Sequence, residues 1–439
     1  MILEWLSKQH ELVQALARVL CAVVPILLLV PGFIWWERRL LSWMQDRIGP
    51  NRTGTFPKNF KIKALAGRHT FGLLQPIADG VKLFFKEDIT PKMIDGLIYF
   101  IAPGIALFPA FAIGLTMPWG PVDGPLRILQ PVADVSIGIL WVLAISSLGV
   151  YGVVLAGYSS NNKYSLMGGL RASAQLISYE LAMGMAVASI VLASGSLRMT
   201  EMVRVQQGPL WGVFPAVQNW FIFTPYGLIA AFIFAICIVA ETNRPPFDLP
   251  EAENELIAGY HTEYSSMKFA VFFMGEYAAM FIFSGVFAVL FLGGFNMVPV
   301  NWLALGDNGF TQFMNSMNYW LSFLWFLGKC FAGLTVFIWL RATLPRLRYD
   351  QLMNLGWKSL LPLGVANFIV VALWILATEK FQNAAMGWGA WALAMAILVI
   401  GYFTISSTTK SKSPAMDRRG IELTDDATPN LDRQVGVTH

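Results

Sequence analysis

The chemically most suggestive residues of this chain are carboxylates that follow directly on an uncharged stretch. Residues 205–240 contain no Asp, Glu, Lys or Arg, and the chain then continues Glu-Thr-Asn-Arg-Pro-Pro-Phe-Asp-Leu-Pro-Glu-Ala-Glu-Asn-Glu from Glu241 to Glu255. About 20 apolar residues cross a bilayer, so these charges follow a predicted membrane span. Charges near hydrocarbon are costly and usually functional. The pattern favours a charge-handling site, and an ordinary acidic loop is the alternative.

Two further acids lie inside predicted membrane spans. Glu180 is in the fourth predicted span (174–194), and Glu276 is in the sixth (268–295). A charge at mid-span costs about 2.5–3.5 kcal/mol on insertion scales. Buried carboxyls of this kind can take up and release protons, whereas a structural ion pair or a hydrated position near the interface is the alternative. Acids after the fifth span could pass protons inward to them. These acids are Glu241, Asp248, Glu251, Glu253, Glu255 and Glu263.

Basic residues cluster where predicted spans end. Arg38 directly follows Trp35, Trp36 and Glu37. An aromatic wall beside an Arg–Glu pair suits a channel for an amphiphilic headgroup. The other arginines at span ends are Arg244, Arg341, Arg346 and Arg348, and simple topology signalling is the alternative for them. Lys329 lies within the seventh span, where we interpret it as a buried counter-ion or relay rather than a snorkelling residue.

The elements that position these residues are predicted to be membrane-spanning helices. Of 439 residues 56% are hydrophobic and 13% charged, whereas soluble domains carry about 25% charged residues. We predict an all-α polytopic membrane protein with an eight-helix core bundle and an additional ninth transmembrane helix. The predicted spans are 15–36, 97–118, 134–157, 174–194, 222–240, 268–295, 321–343, 363–378 and 389–406.

The distribution of Lys and Arg orients the predicted spans. With nine spans, 24 of the 31 Lys and Arg residues lie on one side and 6 on the other, and the positive-inside rule makes the first side cytoplasmic. Within segment 37–92, apolar residues at helical spacing from Phe71 to Phe85 predict a cytoplasmic amphipathic helix at the membrane interface or against a partner. We divide the chain into a membrane domain (1–378), the ninth span (379–406) and a polar, disordered cytoplasmic tail (407–439).

The sequence gives no sign of a metal or nucleotide site. Cys21, Cys237 and Cys330 all fall in apolar spans without metal-ligand spacing. The chain has no Gly-rich nucleotide motif. We therefore expect no metal site in this chain and no nucleic-acid partner. We also expect that the chain has no catalytic residues and is not catalytic on its own.

Several long motifs stand together in this chain. They are Glu37–Arg39, Gln45–Arg52, Leu74–Leu83, Gly169–Ala172, Ile177–Glu180, Glu241–Glu255, Thr262–Ser265 and Arg341–Met353. From about Leu12 to Leu376 the chain closely resembles the H subunit of proton-pumping NADH:quinone oxidoreductase, respiratory complex I. The ninth span and the tail lie outside this resemblance.

The resemblance implies a subunit that forms the quinone-access channel and couples quinone reduction to proton translocation. It implies quinone as the substrate, with FMN and iron–sulfur clusters in partner subunits. It implies contacts with quinone-site subunits of the peripheral arm, small membrane-arm subunits and lipid, and multi-pass localisation in a bacterial inner (plasma) membrane. The implied quinone-side residues are Glu37, Arg38, Asp79, Arg244 and Arg341. The implied proton-pathway residues are Glu180, Glu241, Glu251, Glu253, Glu255 and Glu276.

Two other functions stay open at this point. One is the equivalent subunit of a membrane-bound hydrogenase or of a related dehydrogenase. The other is a secondary ion transporter, which also needs intramembrane acids. Transporters usually contain broken helices in two corresponding halves, and we see no such pair in the sequence.

Overall fold

Helices dominate the computed structural model of this chain. It describes residues 11–51, 53, 71–121, 130–211, 214–250, 257–306, 308–381, 389, 392 and 396. The chain divides into two compact units, Met1–Ala372 and Leu373–His439. All of the site residues discussed below belong to the first unit.

The helices follow one another with short connections. They are α1 (Glu11–Met44), α2 (Gln75–Phe85), α3 (Gly96–Gly114), α4 (Gly138–Ser159), α5 (Lys163–Ser194), α6 (Met199–Gln206), α7 (Pro225–Glu241), α8 (Ser266–Phe291), α9 (Gly309–Trp320), α10 (Ser322–Thr343), α11 (Tyr349–Asn354) and α12 (Leu361–Phe381). A π-helical segment, Leu355–Leu360, joins α11 to α12. Short 3-10 turns occupy Phe221–Phe223, Gly259–His261 and Trp302–Leu305.

The polytopic all-α fold predicted from the sequence is confirmed. Among the described residues, seven helical stretches are long and apolar enough to cross a membrane, and Pro225–Glu241 is a shorter apolar helix. Each of the first eight predicted spans corresponds to one of these helices. Of the ninth, only residues 389, 392 and 396 are described, and they are helical; the tail lies outside the described residues.

Several predicted boundaries are wrong because charges mark the edge of an apolar stretch and not the end of a helix. Helix α1 continues past Trp36 to Met44, so Glu37 and Arg38 are helical. Helix α5 begins at Lys163, where the Asn162 side chain accepts a hydrogen bond from the Tyr164 N–H at 3.0 Å. Arg171 is therefore part of a helix and not of a loop.

The predicted amphipathic helix is present but shorter than expected. It begins at Gln75, after Phe71, which has a left-handed φ of +52°. Ile77, Val81 and Phe85 are exposed, and no residue of α2 is buried in this chain. The apolar stripe therefore faces outward from the described part of the chain.

Helix α8 is the centre of the first unit. It packs against α1, α2, α3, α7 and α10. A helix surrounded in this way is apolar on all sides, and most of α8 from Phe272 to Phe291 is buried. Helices α3 and α4 also pack closely, since a Cβ on Gly152 would lie 2.6 Å from the Ala106 nitrogen. The result is a rigid frame around the few polar residues of α8.

Two segments that lie between predicted spans contain ordered elements. Helix α6 is followed by an antiparallel ribbon of Pro209–Leu210 and Phe214–Gln218. Helix α9 precedes α10, and its N-cap residue Asn308 forms a capping box with Thr311. Short elements of this kind lack the long apolar stretch that identifies a span.

Candidate functional site

Four polar residues from three helices and a loop form one group, which we call the Glu37 cluster. They are Glu37 of α1, Tyr277 of α8, Arg341 of α10 and Arg244 of the loop after α7. The Glu37 carboxylate, which is buried, accepts hydrogen bonds from the Arg341 guanidinium and the Tyr277 hydroxyl. The cluster lines a cavity of about 10 Å³ with apolar residues of α1, α8 and α10. One water molecule needs roughly that volume.

Arg244 connects the Glu37 cluster to an acid one residue before Tyr277 on α8. Its guanidinium carbon lies 4.5 Å from the ring centroid of Tyr277, and Nη2 lies 3.5 Å from Glu276 Oε2. Both charged side chains are largely buried, with 9% and 14% of their surface exposed. A buried charge pair persists only with good partners. Arg244 therefore bridges two carboxylates, Glu37 through Tyr277 and Glu276 directly.

A second, larger cavity lies on the other side of Glu276, and we call it the central cavity. Its volume is about 80 Å³, and its polar lining consists of Ser146, Glu241, Thr242, Asn243, Tyr260 and Glu276. The Tyr260 hydroxyl donates to Glu276 Oε1 at 2.9 Å. At roughly 10–15 Å³ for each water, the central cavity has room for a short water chain between Glu276 and Glu241.

Glu241 and Glu180 stand at the far side of this cavity. Glu241 Oε2 is buried without a hydrogen-bond partner among the described residues. Glu180 lies near enough for its charge to act on Glu241, and it accepts a hydrogen bond from the Ser147 hydroxyl. Glu180 itself does not line the cavity. The three intramembrane or membrane-edge acids therefore form one group.

A fully buried glutamine holds the loop that carries Arg244. Gln175 Nε2 on α5 donates to the Ala240 carbonyl at 2.8 Å and to the Phe247 carbonyl at 2.9 Å. Because buried backbone carbonyls need hydrogen-bond partners, these bonds pin both ends of the 240–247 loop to α5. Arg244 is placed between α5 and α8 as a result, and the loop is buried, unlike an ordinary acidic loop.

The quinone-side residues predicted from the sequence do not all meet. Arg38 points to Asp79 of α2, with Nη1 2.6 Å from Oδ2, and both side chains are partly exposed. The expected pairing of Glu37 with its neighbour Arg38 is wrong, because adjacent helical residues face different directions. Arg39 lies over the Trp35, Trp43 and Phe71 rings at 5.3–5.9 Å. An aromatic and basic rim therefore lies beside the Glu37 cluster.

The remaining acids predicted from the sequence are not part of either site in the described residues. Glu251, Glu253 and Glu255 lie outside the described residues. Glu263 accepts from Asn162 Nδ2 at 2.7 Å and belongs to a different contact. Within the described parts of the chain, no three His, Cys, Asp or Glu side chains are placed to hold a metal ion.

Sequence reasoning missed Tyr277, Tyr260 and Gln175. Tyr277 was visible as the neighbour of Glu276, and a phenol next to an intramembrane acid is a usable signal. Tyr260 and Gln175 reach their partners only through the fold. Gln175 bonds to residues 65 and 72 positions away.

Asp248 in the loop after α7 shows how burial acts on a carboxyl outside the spans. Burial raises the pKa of Asp248 to about 6 from an ordinary 3.8, although Arg346, with Nη2 2.9 Å from Oδ2, lowers the pKa. The folded state therefore binds the proton more tightly than the unfolded state. Its stability falls as pH rises from about 3.8 to about 6.

We expect Asp248→Asn to remove this pH dependence. Because the pKa of about 6 already includes the pairing with Arg346, the variant should gain roughly 2–3 kcal/mol relative to the wild type above pH 6. The thermal unfolding midpoint of the solubilised complex between pH 4.5 and 7 measures this difference. Asp350→Asn at an exposed position is the control. Parallel pH profiles of wild type and Asp248→Asn would contradict the burial argument.

The fold and the site define a polytopic helical membrane protein with paired arginines and carboxylates inside its bundle. Residues 17–372 match the family model described as NADH dehydrogenase. An H subunit of NADH-quinone oxidoreductase from Koribacter versatilis is 44% identical over 377 residues, covering 83% of this chain and 97% of that protein. An H subunit of the same enzyme from Cytophaga hutchinsonii is 42% identical, covering 82% and 96%, and one from Ralstonia nicotianae is 42% identical, covering 83% and 93%.

The chain belongs to the family of the H subunits of NADH-quinone oxidoreductase. It is a membrane subunit of complex I, a proton-translocating oxidoreductase, and is not catalytic alone. Its partners are other subunits of that complex, and quinone fits as the substrate. The relatives favour this assignment over a hydrogenase subunit or a lone transporter.

Proposed function

We propose that this chain lines the quinone-access channel of complex I and couples quinone reduction to proton translocation. The quinone side consists of Glu37, Arg38, Asp79, Arg244 and Arg341. The proton side consists of Glu180, Glu241 and Glu276, joined by Glu251, Glu253 and Glu255. The observation that carries this proposal is the contact of Arg244 with both Tyr277 and Glu276.

The quinone headgroup needs a polar end to an otherwise apolar path. Phe33, Met280, Leu334 and Phe337 supply apolar walls beside Glu37 and Arg341. Pockets for small molecules combine an apolar lining with a few polar groups that fix orientation. The Arg38–Asp79 pair and the aromatic rim lie where α1 and α2 meet, which suits the membrane mouth of such a channel.

The coupling step is a change in charge that passes along buried polar groups. A quinone that gains electrons takes up protons, so the charge balance around Glu37 changes during reduction. Glu37 is linked through Tyr277 and Arg244 to Glu276. In a low-dielectric interior, a charge change at one group acts strongly on the next. Glu276 then exchanges a proton with Glu241 through water in the central cavity, and Glu180 responds to Glu241.

The remaining parts of the assembly follow from the same proposal. FMN and the iron–sulfur clusters belong to partner subunits, and this chain contacts quinone-site subunits of the peripheral arm and small subunits of the membrane arm. The membrane is the bacterial inner membrane, with the Lys- and Arg-rich side in the cytoplasm. Residues 1–378 form the membrane domain, 379–406 an added span and 407–439 a cytoplasmic tail.

Arg38→Ala tests the quinone side. Because Arg38 and Asp79 are partly exposed, their pairing contributes little to stability, and the variant should assemble. We expect quinone reduction to fall about tenfold, while NADH oxidation with an artificial electron acceptor persists. Arg47→Ala, at an exposed position just after α1, is the matched control. Equal loss of both activities in an assembled Arg38→Ala complex would contradict a quinone role.

Cysteine labelling tests the ninth span and the tail. A single cysteine introduced as Ser413→Cys should react with an impermeant maleimide in inverted vesicles, where the cytoplasmic face is open. Deletion from Ser411 onward should leave quinone reductase activity intact, because the tail lies outside the match to the family. Labelling of intact, wall-stripped cells from outside would contradict the ninth span. Failure of the deleted complex to assemble would make the tail a partner-binding element.

A further inference from the structure

Three backbone carbonyls converge on the ammonium group of Lys329. Lys329 Nζ donates to the carbonyls of Leu292 at 2.5 Å, Gly294 at 2.9 Å and Asn296 at 2.5 Å. We propose that the turn at residues 292–296 is a binding site for a primary ammonium cation, which Lys329 fills from within the chain. None of its residues lines the Glu37 cluster or the central cavity, so the proposal does not rest on the quinone and proton function proposed above.

The location of the site separates it from the charged residues described so far. The turn follows the last residue of α8, and Glu276 lies 16 residues earlier on that helix, or about 24 Å along its axis. Lys329 lies about 10 Å from the start of α10. Side chains on a helix lean toward its N-terminus, so Lys329 extends toward the end of the bundle where α8 stops.

Backbone hydrogen bonds that do not involve Lys329 orient the carbonyl groups of the turn. Gly293 and Gly294 have left-handed φ values of +69° and +56°. The Leu292 and Gly294 N–H groups both donate to the Ala288 carbonyl, and the Asn296 N–H donates to the Gly293 carbonyl. The last carbonyls of a helix lack partners within it and lie at the negative end of its dipole. The turn therefore presents concentrated negative potential.

Neighbouring side chains fix the turn in this shape. The fully buried Gln206 of α6 accepts from the Gly293 N–H at 2.9 Å and donates to the Val289 carbonyl at 2.7 Å. A Cβ on Gly293 would lie 2.3 Å from Trp220 Nε1, so only glycine fits there. The same Trp220 ring covers the ammonium, with its centroid 4.2 Å from Nζ. Glycine backbone, glutamine and tryptophan together build a cation site.

The chemistry of the site selects a cation with N–H donors. An ammonium group has three donors and no acceptor, and it meets three carbonyl acceptors and an aromatic face that also attracts cations. No ion pair to a carboxylate involves Lys329 in the described parts of the chain. Its hydrogen-bond partners among the described residues are therefore backbone carbonyls and not a carboxylate. Lys329 is a positioning residue that ties the end of α8 to α10.

Chemical rescue tests this site. Lys329→Ala removes the equivalent of propylammonium, and the assembled, solubilised complex should lose quinone reductase activity on heating about tenfold faster, because three hydrogen bonds to a charged group are lost. Added propylammonium should restore the heat resistance. Tetramethylammonium, which has the same charge but no N–H donor, should not. Lys163→Ala, at an exposed lysine, should show neither the loss nor the rescue.

Two outcomes of this experiment would overturn the proposal. One is wild-type heat resistance of Lys329→Ala, and the other is equal rescue by tetramethylammonium. If Lys329→Ala does not assemble, the proposal is tested by comparing the assembly of Lys329→Arg with that of Lys329→Met. Arginine retains N–H donors and should assemble better than methionine, and proton translocation per electron should stay normal in the assembled arginine variant. Equal assembly of these two variants, or lost translocation with arginine, would overturn the proposal.

Discussion

Glu276→Gln is expected to abolish proton translocation in the complexes that assemble. Glutamine keeps the size of the side chain and an acceptor for the Tyr260 hydroxyl, but it cannot ionise or pair with Arg244 as a charge. Losing a group that transfers protons typically costs 10²–10⁴-fold, so coupled turnover should fall about 100-fold. Proton uptake and NADH oxidation measured together in inverted vesicles give translocation per electron. Glu180→Gln should act in the same direction.

The matched control for this variant is Glu201→Gln. Glu201 of α6 is more than one-third exposed and pairs with Arg204 three residues later on the same helix, so its charge lies outside the central cavity. We expect normal assembly and normal translocation. A normal ratio of protons to electrons in both Glu276→Gln and Glu180→Gln would contradict the proposed path.

Arg341→Met is expected to stop quinone reduction and to destabilise the bundle. The Glu37 side chain is only 6% exposed and would lose its charged partner. Because Arg341 is 41% exposed and Glu37 keeps the Tyr277 hydroxyl, the cost should be smaller than the roughly 3–5 kcal/mol of breaking a fully buried pair. Quinone reduction should fall by at least about 100-fold, whereas NADH oxidation with an artificial acceptor should persist in complexes that assemble. The measurement compares both activities in the same purified complex.

Two further variants separate a site effect from a folding effect. Arg348→Met removes an arginine from the segment after α10 and should leave both activities unchanged. Glu37→Gln with Arg341→Met removes both charges together, and it should recover much of the assembly lost in Arg341→Met but not quinone reduction. Recovery of quinone reduction in the double variant would show that the charged pair is only structural.

Long apolar stretches made most of the fold predictable from sequence. The stretch before Glu241 and those around Glu180 and Glu276 each correspond to a helix. Helix ends were less predictable, because a helix continues into the polar region wherever its side chains find partners. Glu37 and Arg38 are helical for this reason, with partners on α10 and α2.

Candidate site residues were predictable by type, but their pairing was not. Glu37 and Arg341 are 304 positions apart, and only the packing of α1 and α10 against α8 brings them together. The roles of Gln175 and Gln206 could not be predicted from the sequence. An amide side chain is uncharged, so it does not stand out in an apolar stretch as a charged residue does. Lys329 was conspicuous, but its backbone carbonyl partners carry no sequence signal.

The central claim is that reduction of quinone beside Glu37 changes the protonation of acids around the central cavity. Redox-triggered infrared difference spectroscopy of the assembled complex measures this directly, since a protonated carboxyl has its own C=O stretching band. We expect a carboxyl band that changes when quinone is reduced and is lost in Glu276→Gln and Glu241→Gln. A wild-type carboxyl signal in both variants would contradict it.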